Sequence, residues 1–367
     1  MEIGKKRISK NNPPLLIAEL GINHGGSFAV AKTMAKQAIK AGADIVKIQS
    51  HRAEEEMDEG LRQVYPLNSP GESIYDLIRR CSLTPEEEYD LKILIEDEGG
   101  VFMSTPFSFK AVDDLEAMGV VGFKIGSGEL TNIPLLRHIA KVGKPVIMST
   151  GMSTLGILER ATDVFNDYQI PFALLHTTSA YPTPFVEARL KNIDYLNKQF
   201  RYVPVGYSDH TVGIEACIGA VARGATIIEK HFALKGMDGP DVICSATPWE
   251  FSDMAYKVRN VYLAVQGKEE KEVFPIETST TAFARAHIIL NRKVKAGDVL
   301  GHGDITTKRA FSEPWAVPAL SYDAMIGSTV AVDLNEGAVL KWTDITCIDR
   351  SRCFGKEKGL FYNRNEG

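Results

Sequence analysis

Residues 204–241 decide how this chain reads. A β-type run leads into VGYSDHTVG (205–213), an apolar segment of helical length follows (213–223), and then comes ATIIEKHFALKGMDGPD (225–241). Each of the two β-type runs, Tyr202 to Tyr207 and Thr226 to Glu229, is closely followed by a histidine, His210 and His231. Strand, crossover helix, strand is the unit that a parallel sheet requires. Both imidazoles should then emerge at the same end of adjacent strands, near enough to share one ion. Two neutral imidazoles suit a first-row divalent metal and leave positions for water or substrate oxygen. The plainer alternative, two unrelated polar residues at strand ends, fits poorly with the flanking Ser208, Asp209, Glu229 and Asp241.

Outward from this stretch the same unit repeats. Runs at 15–20, 44–49, 101–105, 122–127, 145–150, 172–178, 202–207 and 226–232 are β-type and end in small or polar residues. Helical segments follow them, among them Ala29–Ala41, Pro85–Glu98, Lys110–Met118, Pro134–Val142, Leu155–Tyr168, Arg189–Phe200 and Ile214–Arg223, with Phe251–Gln266 closing the series. Eight β-then-α units in about 250 residues predict an α/β protein, a (β/α)8 TIM barrel over residues 1–266. An open doubly wound sheet is the rival. Polar residues end nearly every strand rather than clustering at one switch point, which favours the barrel.

One connection is unusual. Ser50 to Leu83 far exceeds the usual 2–6 residues of a βα loop, so it reads as a lid or a solvated insertion, with the acidic run Glu54–Glu59 as a solvated face. Residues 267–282 read as a linker. Beyond them VKAGDVLGHGDIT (294–306) is echoed by LNEGAVLKWTDIT (334–346), a duplication that predicts a small β-rich domain over 283–346. Residues 347–367 read as a frayed tail.

Composition sets limits. The chain has 367 residues, 44% apolar and 24% charged, with a net charge of -5, so it offers no electrostatic case for nucleic acid or anionic membrane. No apolar run approaches the roughly 20 residues of a membrane span, and LLIA (15–18) is too short for a secretory signal. Five scattered cysteines form no CxxC pair or disulfide framework, which fits a reducing cytoplasm.

Lys47 lies inside DIVKIQ and Lys124 inside GFKIGSGE, each among apolar neighbours. A charge buried without a partner costs several kcal/mol, so both lysines require anions, either barrel salt bridges or a ligand. Hydroxyls gather at the strand ends: Ser104, Thr105, Ser127, Ser149, Thr150, Ser179 and Ser208. Together with the lysines they make a pocket for a phosphate and a carboxylate. Glu19, Glu129 and Asp241 share the rim, where they could hold a polyol or carry protons.

An ordered set of motifs then carries a resemblance: GINHGG (21–26), KIQ (47–49), STPF (104–107), KIGSGE (124–129), STGM (149–152), SAYPTP (179–184), YSDHT (207–211), EKHF (229–232) and DGPD (238–241). The chain resembles the sialic acid synthase family, whose C-terminal module is an antifreeze-like SAF domain. That resemblance implies condensation of phosphoenolpyruvate with an N-acylated amino sugar. It implies His210 and His231 as ligands of a divalent metal, usually manganese, with magnesium or cobalt as alternatives. Lys47 and Thr105 match positions that hold the phosphoenolpyruvate carboxylate, while Lys124, Ser127, Ser149, Ser179 and Ser208 match the phosphate site. Glu19, Gln49, Glu129, Tyr181 and Asp241 match sugar-site or catalytic positions. Phe283 and Arg309 match residues that reach the partner's sugar site in domain-swapped homodimers. One departure is that Ala310 and Phe311 follow Arg309 where many members have Pro-Gly.

The resulting expectation is a cytoplasmic enzyme that makes N-acetylneuraminate and phosphate from N-acetylmannosamine and phosphoenolpyruvate. The alternative substrates are the 2,4-diacetamido-2,4,6-trideoxy hexoses that lead to legionaminic or pseudaminic acid. A Schiff-base aldolase acting through Lys124 and a non-catalytic carbohydrate-binding protein are the more distant rivals.

Overall fold

Eight short apolar runs pair side by side in parallel register and close on themselves. The computed structural model describes residues 1–66, 70–267, 269–310 and 314–347. An antiparallel hairpin of β1 (Glu2–Ile3) and β2 (Lys6–Arg7) comes first. The barrel strands are β3 (Leu15–Gly21), β4 (Ile45–Ser50), β5 (Val101–Pro106), β6 (Phe123–Ile125), β7 (Val146–Ser149), β8 (Phe172–Thr177), β9 (Val205–Asp209) and β10 (Ile227–His231). They follow one another in sequence order around the barrel, and β10 closes on β3. This is the TIM-type barrel the sequence predicts, and the open-sheet rival is excluded.

The helices lie between the strands. They are α1 (Phe28–Lys40), α2 (Ala53–Glu56), α3 (Ile74–Cys81), α4 (Pro85–Asp97), α5 (Phe109–Ala117), α6 (Ile133–Val142), α7 (Leu155–Asp167), α8 (Lys191–Gln199), α9 (Glu215–Ala222) and α10 (Pro248–Ala264). Local chemistry sets their ends. Thr84 with Glu87 and Thr247 with Glu250 form capping boxes ahead of α4 and α10, each with Pro at the first turn. The long second connection is not structureless, because α2, a 3-10 turn at Glu59–Gln63 and α3 occupy it.

Two strands differ from their predicted bounds by more than one residue at an end. Strand β6 covers only Phe123–Ile125, because Ser127 already opens a 3-10 turn. Strand β9 begins at Val205, after Pro204, which has no N–H for a ladder, and continues to Asp209.

Alternation along the strands makes two cores. Outward residues such as Val46, Phe102, Leu174 and Ile228 pack under the helices. Inward residues Leu15, Ile17, Ile45, Met103, Ile147, Ala173, Leu175 and Ile227 fill the lower lumen, which Ile3 and Ile8 of the N-terminal hairpin complete. The mouth lies at the opposite, C-terminal end of the strands.

The chain divides into two compact units, Met1–Gly267 and residues 268–367. In the second, a 3-10 turn (Pro275–Glu277) and α11 (Thr278–Ala284) lie in the stretch the sequence reads mostly as linker. Strands β11 (Ala286–Leu290) and β12 (Ile305–Arg309) pair, as do β13 (Thr329–Val330) and β14 (Ile345–Cys347), with α12 (Tyr322–Met325) between them. The sequence echo is an echo in structure. Val294 and Leu334 exchange backbone hydrogen bonds, Leu300 and Leu340 share one core, and Asp304 and Asp344 cap the N–H groups of Gly301 and Lys341. The predicted tail from 348 onward lies outside the described residues.

Candidate active site at the barrel mouth

Strands β9 and β10 are in register at Tyr207–Ile228, Ser208–Glu229 and Asp209–Lys230, so His210 and His231 are adjacent at the strand ends. Their ring centroids are 5.3 Å apart, and the ring of Tyr181 lies 4.1 Å from that of His210 and 5.8 Å from that of His231. His210 Nδ1 is 2.8 Å from the carbonyl of Thr178. A carbonyl only accepts, so Nδ1 carries the proton and Nε2 keeps its lone pair. Burial depresses the pKa of His210 and drives that of His231 well below the usual imidazole range. His231 Nδ1 is buried with no hydrogen-bond partner among the described residues, and Asp241 Oδ2 stands 3.8 Å away.

These donors fit a divalent ion. Two neutral imidazoles, one with an orphaned buried nitrogen, are ligands in waiting. Among the described residues no group of three or more His, Cys, Asp and Glu is arranged to hold a metal. An ion here would complete its shell with water or substrate oxygen.

Below the histidines is a buried cluster of two ammonium groups and two carboxylates. Lys47 Nζ lies 2.5 Å from Glu19 Oε2, an ion pair rather than a well-angled hydrogen bond, and donates to Thr105 Oγ1 at 3.2 Å. Glu229 stands between the lysines, with Oε2 3.8 Å from Lys47 Nζ and Oε1 3.7 Å from Lys124 Nζ. Ser208 donates to Glu229 Oε1 at 2.8 Å, and Lys124 donates to Ser149 Oγ at 2.6 Å. Burial alone would raise the pKa of Glu229, but Lys124 and Lys47 outweigh it and hold that group below the usual carboxylate range. Burial pushes Glu19 up against the pull of Lys47. Burial pushes Lys124 down to about 8, against the pull of Glu229. Glu229 is what sequence reasoning missed, noted beside His231 but given no role, although Ser208 and Glu229 stand in register like the two histidines.

The hydroxyls converge around a glycine. Gly151 N–H donates to Ser127 Oγ at 3.0 Å. A Cβ at Gly151 would collide with Ser179 Oγ and lie 2.8 Å from Ser127 Oγ, so only glycine leaves this corner open.

A second convergence surrounds Gly21. A Cβ there would meet Glu19 Oε1, Gln49 Nε2 and Asp241 Oδ2 at 3.4, 3.5 and 3.6 Å. Gln49 donates to Glu19 Oε1 at 3.0 Å. Burial and the nearby Glu19 push Asp241 up to about 7. Asn132 donates to Glu129 Oε2 at 2.8 Å, and burial, then the charge of Glu56, raises the pKa of Glu129. The acidic run is not wholly the solvated face predicted. Glu56 turns inward, bonds His51 Nδ1 at 2.7 Å and accepts from Arg52 N–H at 3.2 Å, because His51 Nε2 is already tied to Gln49 Oε1 at 2.9 Å. Sequence gave no sign of His51, which is stacked on Phe107 with ring centroids 4.3 Å apart.

Phe283, at 60% exposure, sits on α11, and Arg309 ends β12 with its side chain exposed. Phe311, of the unusual Ala310-Phe311 pair, lies outside the described residues.

A closed parallel barrel whose lysines, carboxylates, imidazoles and hydroxyls meet at the C-terminal mouth has the layout of a barrel enzyme, whose chemistry sits at that end. The comparisons give the particular family. The NeuB family model matches residues 34–271 and the SAF domain model matches 285–346, so the chain belongs to the NeuB family. It is 39% identical over 347 residues to an uncharacterized protein of Methanocaldococcus jannaschii, covering 94% of this chain and 98% of that one. It is 35% identical to the N,N'-diacetyllegionaminic acid synthase of Campylobacter jejuni, covering 89% of this chain and 98% of that one. The crystal structure of an N-acetylneuraminic acid synthetase from Leptospira borgpetersenii, in complex with citrate, superposes with a TM-score of 0.69 at 32% identity, covering 77% of this chain and 94% of that one. The chain is therefore an enzyme of the nonulosonic acid synthase type, the group that includes sialic, legionaminic and pseudaminic acid synthases. No helix among the described residues is long and apolar enough to cross a membrane.

Proposed function

We propose that this enzyme condenses phosphoenolpyruvate with the open-chain aldehyde of N-acetylmannosamine to give N-acetylneuraminate and phosphate. The observation that carries the reading is the buried cluster of Lys47, Lys124, Glu19 and Glu229 directly below the paired imidazoles. Lys47 and Thr105 hold the carboxylate of the enol phosphate. Lys124, Ser127, Ser149, Ser179 and Ser208 hold its phosphate, with the open corner at Gly151 admitting an oxygen. Gln49, Tyr181 and Asp241 face the sugar, and Phe283 and Arg309 complete that site from a second copy of the chain.

His210 and His231 would hold a divalent ion, manganese by resemblance and magnesium or cobalt as alternatives. Such an ion supplies Lewis acidity toward an aldehyde oxygen. Carbon 3 of the enol phosphate forms the new bond to the aldehyde carbon, positive charge grows at carbon 2, water adds there, and phosphate departs with carbon–oxygen cleavage. The chain's contribution is positioning, which in favourable intramolecular cases is worth about 7–11 kcal/mol. Burial raises both acids, and Glu19 is the one joined to Lys47, so it takes the part of moving the proton of the added water. Glu129, held by Asn132, takes the part of a sugar contact.

The second reading keeps the chemistry and changes the sugar to a 2,4-diacetamido-2,4,6-trideoxy hexose, and the likeness to the legionaminic acid synthase favours it. Phosphate release from phosphoenolpyruvate with manganese, measured over N-acetylmannosamine and both diacetamido-trideoxy hexoses, decides between them. Release with N-acetylmannosamine alone supports the first reading, and release only with a diacetamido sugar replaces it. In the same assay His210→Ala and His231→Ala should each lose metal and turnover. Near-normal turnover in either variant removes that residue from the site.

A further inference from the structure

Strands β9 and β10 have an outward face that the proposed chemistry does not use. Ile227 lines the lumen while Tyr207 and Ile228 pack into the outer core, so alternation turns Ser208, Glu229 and the two imidazoles inward and Asp209 and Lys230 outward. Asp209 and Lys230 are direct cross-strand partners, one residue ahead of His210 and His231. Lys230 Nζ lies 2.6 Å from Asp209 Oδ2, and both side chains are 0% exposed.

The carboxylate is fully engaged. Oδ1 accepts from the Tyr207 hydroxyl at 3.0 Å and from the Thr211 N–H at 2.9 Å, and Oδ2 accepts from the Thr211 hydroxyl at 3.1 Å. The Cys217 thiol of the crossover helix α9 reaches Oδ2 at 3.3 Å. Lys230 also donates to the Thr211 carbonyl at 2.6 Å. The residues on both sides of His210 are thus pinned, Asp209 through its carboxylate and Thr211 through its N–H, hydroxyl and carbonyl. Strand β10 is fastened to the same point through Lys230.

Stability does not explain such a pair. Exchanging a buried ion pair for apolar residues of similar volume is often neutral or stabilising. What the pair does fix is the relative placement of two strand ends. We propose that Asp209 and Lys230 are positioning residues for the metal: by locking β9 to β10 they hold the His210 and His231 rings at their mutual spacing before an ion arrives. This rests on the reading of those histidines as metal ligands. Partners behind metal ligands are typically worth 10–100-fold in affinity.

Manganese binding to the full chain, read by the loss of the free-ion spin-resonance signal, tests the inference. Circular dichroism first establishes that each variant is folded at the assay temperature. Asp209→Asn combined with Lys230→Met removes both charges together, and its manganese affinity should fall about 10–100-fold. Thr211→Val keeps both charges and loses one hydrogen bond to Asp209, and should cost about two- to fivefold. His210→Ala is the control. If it keeps the wild-type affinity, the metal-site reading fails and the inference falls with it. If it loses the ion while the folded double variant binds as tightly as the wild type, the positioning role alone is overturned. Should the double variant not fold, wild-type affinity in Thr211→Val overturns it equally.

Discussion

The lower and upper halves of the barrel lumen are built on the same strands, yet their chemistry changes within two residues. Strand β3 passes from Ile17 to Glu19, β4 from Ile45 to Lys47, β5 from Met103 to Thr105, β7 from Ile147 to Ser149 and β10 from Ile227 to Glu229. Below the change the side chains are apolar and interlocked. Above it they are charged, hydroxylic and mutually paired. The contrast shows how a barrel tolerates buried charge. Leaving a carboxylate or an ammonium unpaired in such surroundings costs several kcal/mol, so the upper layer is stable only as a set, while the lower layer supplies apolar burial at about 1.5–3 kcal/mol per large side chain.

The contrast is broken most severely at Lys47. Lys47→Ala removes the ammonium that Glu19 and Glu229 both face and that the proposed site gives to the substrate carboxylate, and truncating one partner of a buried charge pair across a binding site costs about 2–5 kcal/mol. In kcat/KM for phosphoenolpyruvate that is a loss of about 30- to 5,000-fold, read from steady-state kinetics. A variant with wild-type kcat/KM would remove Lys47 from the substrate site. Leu175→Ala acts one layer lower and should cost about 2–5 kcal/mol of stability while leaving kcat intact well below the melting temperature. Denaturant unfolding beside kinetics separates the two layers. A fall in kcat without a fall in stability would mean that the lower layer is not merely a floor.

The smaller effects sharpen the same division. Gly151→Ala places a methyl against Ser127 and Ser179 and should raise KM for phosphoenolpyruvate about tenfold, with kcat less affected. A loss in kcat alone would place that corner elsewhere in the reaction. Lys124 tests the electrostatics. With its pKa pushed down to about 8 it is an ammonium below that pH and a neutral amine above it. Attraction for a phosphate is therefore present at pH 7 and lost as pH rises, and kcat/KM for phosphoenolpyruvate should fall about fivefold between pH 8 and pH 9. A flat profile over that range contradicts a phosphate-holding role for Lys124.

The pattern of eight short apolar runs with polar ends and intervening amphipathic segments was enough to favour a barrel over an open parallel sheet, and barrel closure decided between them. The polar ends of those runs placed Lys47, Lys124, His210 and His231 at one rim. The duplicated Gly, Val-Leu and Asp-Ile-Thr pattern likewise revealed the second unit. Apart from the two histidines, sequence could not tell which of these groups would touch. Glu229 stands 105 residues after Lys124 in the chain and 3.7 Å from it in space. Glu56 turns inward from an acidic run because His51 is waiting for it, and Asp209 meets Lys230 because β9 and β10 pair in one register and not the next. Slipping a strand by a single residue exchanges its inward and outward faces. The identities of the residues were therefore written in the sequence, but their pairing, and with it their protonation and chemistry, was decided only when the barrel closed.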